Sequence, residues 1–232
     1  MTIRTAKRSP RFLARITALL VLAIFGLVYI PSMLFVPGDA AITASNIMVS
    51  ESLFRLGIVS NLIVQIVGIF WVLVLYQLLV PVNKNMATLM VIFYLLSVPI
   101  ALLNELNKFA ILHLAGDAGP TVFTPNQLQT LVSLFLKLHT DGINIAGIFW
   151  GLWLFPLGYL VFKSGFLPRV IGILLIIGCL GFLVQSFAGF LWTNFGVNIV
   201  ALTDWGELLL PLWLLIKGVD VEQWKKRAAV PA

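Results

Sequence analysis

Charge is scarce in this sequence. One residue in ten is acidic or basic, against 60% hydrophobic residues and a mean hydropathy of +1.04. A soluble globular domain carries roughly a quarter charged residues, so the shortage excludes that class and makes the bilayer the main solvent. Cysteine is also scarce. The single Cys179 lies inside an apolar run, which excludes an intrachain disulfide and leaves a packing role for the thiol. Only two histidines occur, His113 and His139, with no His-x-x-x-His pair and no ligand spacing diagnostic of zinc. No metal or cofactor is therefore expected. The sequence also lacks Gly-x-Ser-x-Gly, His-Glu-x-x-His and the phosphate-cradling Gly-x-x-x-x-Gly-Lys-Ser/Thr. Serine hydrolase, zinc protease and nucleotide-driven pump are thereby left without support, and no catalytic residue is assigned.

What the sequence has is a succession of long apolar runs. At about 20 residues per span, 232 residues hold about six membrane helices, short connections and no separate soluble domain. Residues 1–232 are therefore read as one all-α, polytopic membrane domain with spans near 16–36, 56–80, 86–104, 142–162, 170–192 and 200–216. The first run is too long for a signal-peptide core and is read as a retained span. Residues 37–55 mix apolar and polar positions at helical intervals, and a short amphipathic helix on the outer face is expected there. Thr124-Pro125-Asn126-Gln127 is a helix start: threonine can cap, proline suits the first turn and Gln127 completes a capping box. That helix runs amphipathically over 127–141 into the fourth span.

The net charge of +6 does not form a nucleic-acid patch, because the basic residues flank apolar runs instead. Lys and Arg concentrate before the first span, around Lys84, between Lys163 and Arg169, and after the sixth span. Only Arg55, Lys108 and Lys137 fall on the other side. By the positive-inside rule both ends lie in the cytoplasm.

The stretches L-F-V-P-G-D-A-A at 34–41, S-E-S-L-F-R-L-G at 50–57, L-V-P-V-N-K-N at 79–85, F-K-S-G-F-L-P-R at 162–169 and L-W-L-L-I-K-G-V at 212–219 occur in order along nearly the whole chain. In these the sequence resembles a bacterial multi-pass membrane family, domain of unknown function 4386. The resemblance implies a six-helix protein of the bacterial cytoplasmic (inner) membrane and carries no activity, ligand or site residue with it.

Polar side chains held inside apolar spans are the candidate site, since each needs a partner or water there. Asn61 and Gln65 share a stripe with Gly68, and Asp141 and Asn144 share one with Lys137. Gln185 lies on the glycine-rich face of the fifth span, and Asp204 and Glu207 share a face of the sixth. Glu207, about 15 Å from the inner end of its helix, is the deepest carboxyl group, while Gln65 and Gln185 lie about 22 Å up. Packed inward, Glu207, Gln65, Asn61, Asn144, Asp141 and Gln185 would line a polar cleft open to the outside. For Gln65, Gln185 and Asn144 the plainer reading is an interhelical hydrogen bond; Glu207, a carboxyl group held this deep, is either protonated, paired or facing water and is a functional candidate by default. Gly147 and Gly151 form a close-packing motif. Glu105 and Lys108, three residues apart, read most simply as a surface pair.

Two functions follow from these residues. One is binding or translocation of a small molecule or proton through the cleft, with Glu207 protonatable. The other is an accessory or structural role through a membrane protein partner, contacted by the amphipathic segments. A membrane-embedded enzyme acting on a lipid ranks third, without a motif to motivate it.

Overall fold

The computed structural model describes residues 9–32, 47, 49–115, 123–192 and 196–229, and every regular element among them is a helix. In chain order these are α1 (Pro10–Ser32), α2 (Glu51–Leu79), α3 (Lys84–Asn104), α4 (Leu106–Ala115), α5 (Pro125–Ser164), α6 (Arg169–Leu191), α7 (Ile199–Thr203), α8 (Trp205–Ile216) and α9 (Val221–Ala229). Five are long and apolar enough to cross a membrane, and α8 is a shorter apolar helix that completes the set of about six. The protein is a polytopic membrane helical bundle.

Local chemistry sets the helix ends. Asn83 accepts from the Met86 amide at 3.0 Å and starts α3 after the turn at Pro81. The capping box of α5 forms as the sequence predicts: Thr124 Oγ1 accepts from the Gln127 amide at 3.4 Å, and the Thr124 amide donates to Gln127 Oε1 at 2.9 Å. α5 then runs for 40 residues without a break. At 1.5 Å per residue that is about 60 Å, twice the hydrocarbon thickness, so its first half lies beyond the apolar layer. It ends at Gly165, whose φ of 76° is a left-handed cap.

Two expectations change. The surface helix expected over 37–55 falls largely outside the described residues, and its last residues, from Glu51 on, belong to the start of α2. The sixth span is not one continuous helix: it breaks at Asp204, between α7 and α8.

The six apolar helices form a ring in the order α1, α2, α3, α5, α6, α8, each packed mainly on its two neighbours, with α8 returning to α1. Glycines allow the closest approach. A Cβ on Gly158 of α5 would sit 2.7 Å from the Gly172 carbonyl oxygen of α6, and one on Gly151 would sit 3.1 Å from that of Cys179. At one end, α9 folds back across the bundle. Trp224 Nε1 donates to the Leu78 carbonyl, Arg227 donates to the Lys163 carbonyl, and the Asp220 amide donates to the Phe166 carbonyl. This is the basic end, where Lys84, Lys163, Arg169, Lys225, Lys226 and Arg227 gather. The breaks after Asn104 and at Asp204 lie farther from it.

Candidate functional site

Three aromatic side chains meet across the middle of the ring. Trp71 of α2, Tyr94 of α3 and Trp153 of α5 are all buried and stand edge to face, with centroids 5.8 Å (Trp71–Tyr94), 5.1 Å (Trp71–Trp153) and 5.2 Å (Tyr94–Trp153) apart. The Tyr94 hydroxyl rests on Gly68, where any side chain would overlap it. Counting from the basic end, all three lie about 12 to 16 Å up their helices, near mid-membrane.

Glu207 is at the same level on α8 and within electrostatic reach of Tyr94. Its carboxyl group neighbours that of Asp204 at the helix break, close enough for the two to interact electrostatically. Neither residue has an ion-pair partner among the described residues. Asp204 Oδ1 and Trp71 Nε1 are both buried without a hydrogen-bond partner among the described residues. The chain reaches this arrangement because α6 is thin where α7 and α8 meet it. A Cβ on Gly178 would come within 3.4 Å of Asp204 Oδ1, one on Gly181 would overlap Thr203, and one on Gly206 of α8 would lie 2.6 Å from the Leu175 amide nitrogen of α6.

A second polar cluster lies farther from the basic end, at the break between α3 and α4. Lys108 Nζ donates to Glu105 Oε1 at 3.1 Å, and Asn61 Nδ2 of α2 donates to the same oxygen at 3.2 Å. The sequence predicts a surface pair here, but Glu105 is 5% and Lys108 3% exposed. The pair is buried because α2 and α5 close over the break. Asn104 Nδ2 donates to the His139 carbonyl of α5 at 2.9 Å and lies 3.0 Å from His139 Nδ1. Gly142 leaves room for that asparagine, and Asn107 Nδ2 donates to Asn104 Oδ1 at 2.9 Å.

The residues singled out from the sequence are thus distributed. Asn61 joins the Glu105 cluster. Gln65 lies between Asn61 and Gly68 on the same stripe of α2, which links the two polar levels. Asn144 packs on Gly189 of α6. Gln185 Oε1 accepts from the Ile199 amide at 2.8 Å and so caps α7. Asp141 is half-buried on α5, two residues beyond His139. Asn104, Glu105, Lys108 and His139 are the members that the sequence reading did not assign to the site. The signal for the first three is a run of four polar residues, 104–105 and 107–108, at the end of an apolar span; His139, on α5, has no part in that run. Among the described residues, no group of three His, Cys, Asp or Glu side chains is placed to hold a metal ion.

The family model described as "Domain of unknown function (DUF4386)" matches residues 16–218. An uncharacterized protein of Archaeoglobus fulgidus is 30% identical over 164 residues, covering 67% of this chain and 85% of the relative. No solved structure matches the chain.

Proposed function

The chain belongs to the DUF4386 family, whose description assigns no activity, and from its own geometry we propose that it binds or translocates a small molecule or a proton, with Glu207 as the protonatable group. The observation that carries this reading is the pair of neighbouring carboxyl groups, Asp204 and Glu207, at the helix break within an apolar span, with no ion-pair partner among the described residues. Intramembrane acids are costly to hold and typically mark proton or substrate pathways. A helix broken beside such a group is the arrangement that transporters use, since it frees backbone groups where they can meet a ligand. The α2 stripe of Gly68, Gln65 and Asn61 supplies polar positions from Tyr94 toward the far end, and Asn144, Asp141 and Gln185 extend the set on α5 and α6.

The gathering of Lys and Arg at one end supports an N-in, C-in orientation in a bacterial cytoplasmic membrane. The polar stripe then opens outward.

Proton flux into liposomes holding the purified protein, under an imposed pH gradient, tests the proposal. Glu207→Gln should abolish the flux, or the binding of any co-purified ligand seen by native mass spectrometry, while the amount of folded protein stays unchanged. Flux equal to that of the parent, or an equal loss of folded protein, rejects the reading.

A second reading is favoured by one observation. The first half of α5 lies beyond the apolar layer yet exposes Leu134 and Leu138 beside Lys137. An accessory or structural protein would use such a face to hold a membrane protein partner. Crosslinking from Leu134 to one recurrent second protein would favour it over transport.

A further inference from the structure

The ion pair at the α3–α4 break is incompletely satisfied in a specific way. Both Glu105 and Lys108 are more than nine-tenths buried, yet only one carboxylate oxygen of Glu105 is used. Oε1 takes both the Lys108 ammonium and the Asn61 amide, while Oε2 has no hydrogen-bond partner among the described residues. Lys108 has three N–H donors, and among the described residues only Glu105 Oε1 accepts from it. The neighbouring amides do not make up the difference. Asn104 is directed to His139, and Asn107 to Asn104. Among the described residues, what stays open is therefore one anionic acceptor and two cationic donors, side by side and of zero net charge.

We propose that this site binds a zwitterionic group, whose ammonium takes Glu105 Oε2 and whose anionic oxygen takes the free N–H groups of Lys108. The argument is one of sign. A lone cation would satisfy the carboxylate but would be repelled by Lys108, and a lone anion would meet the reverse conflict. A ligand carrying both charges on adjacent atoms satisfies both residues and leaves the buried site neutral. Full hydrogen bonding is also the condition under which a buried charge pair is stable.

The depth suits this chemistry. Glu105 and Lys108 lie about 31 to 36 Å from the basic end of α3, at the level where hydrocarbon gives way to headgroups. The helix is interrupted at Glu105, with α4 continuing as a separate segment, so the pair stands at a break and not within a continuous helix. The same chemistry has two sources, a free amino-acid-like zwitterion in water or the phosphate and ammonium of a zwitterionic lipid headgroup.

The site is separate from Glu207 and is tested separately. The full chain, purified in mild detergent, is titrated calorimetrically with glycine and β-alanine, and with methylammonium and acetate as single-charge controls. It is also incubated with phosphatidylethanolamine and with phosphatidylglycerol, and retained lipid is read by native mass spectrometry. Expected is saturable binding of at least one zwitterion over its single-charge controls. Binding of glycine or β-alanine identifies a free ligand, and retention of phosphatidylethanolamine over phosphatidylglycerol identifies a headgroup. Glu105→Gln/Lys108→Met removes both charges together, so the protein should still fold, and it should lose at least tenfold in that binding. Parental binding by the folded double variant overturns the proposal, as does failure of every zwitterion or equal binding of a single-charge control. Loss of proton flux in Glu207→Gln alongside a negative titration would reject this site and leave the proposed function standing. The reverse pair of results would do the opposite.

Discussion

The indole nitrogen of Trp224 donates to the backbone carbonyl of Leu78 at 2.8 Å, across 146 residues of sequence. Leu78 is in the last turn of α2, where carbonyls have no partner within their own helix, so the tail helix α9 supplies what α2 lacks. Trp224→Phe keeps the ring and removes the donor. It should cost about 1 to 2 kcal/mol, while Trp224→Ala should cost about 3 to 5 kcal/mol by adding a cavity. Thermal unfolding in detergent should rank the two in that order, and equal effects would show that the hydrogen bond, which both variants lose, carries the whole loss and the packing of the ring none.

Gly158 and Gly172 hold α5 and α6 together through backbone contact. Nothing flexible can move aside there, so Gly158→Ala should destabilise by about 1 to 3 kcal/mol. Gly26, with open space around its Cβ direction, serves as the control. Gly26→Ala should leave the melting temperature unchanged or raise it slightly.

The Tyr94 hydroxyl and Gly68 occupy the same small space. Gly68→Ala should therefore lower stability, and adding Tyr94→Phe should recover part of the loss by removing the obstructing oxygen. Additive losses in the double variant would show that the two residues do not meet.

Lys108→Met leaves Glu105 buried without its cation and should cost about 3 to 5 kcal/mol, whereas Glu105→Gln/Lys108→Met should return close to the parent. A double variant as unstable as the single would mean that the unpaired Glu105 carboxylate is not the source of the loss.

Much of the fold was legible in the sequence because a membrane span is written in composition, which needs no knowledge of neighbours. The apolar runs, the Thr124 capping box and the close-packing glycines 147 and 151 each carry a local signature. Glu207 was legible for a similar reason, as a carboxyl group inside an apolar run, and its three-residue spacing from Asp204 already placed the two on one face. Glu105 and Lys108 show where such reading ends. Spacing of three residues looks the same on an exposed face as on a buried one, and what decides is α5, which brings His139 to Asn104 from 35 residues away. The break at Asp204 was illegible too. Thr203, Asp204 and Trp205 include no glycine or proline, and the kink is made possible by Gly178 and Gly181 on a different helix.

The ring closes by packing α8, the last apolar helix in sequence, against α1, the first. A consequence follows for how the protein is made: until α8 is in place α1 has an open flank, so the ring closes only when its last apolar helix is synthesised, and α9, which comes later still, packs over α1 and α2 after that seam has formed.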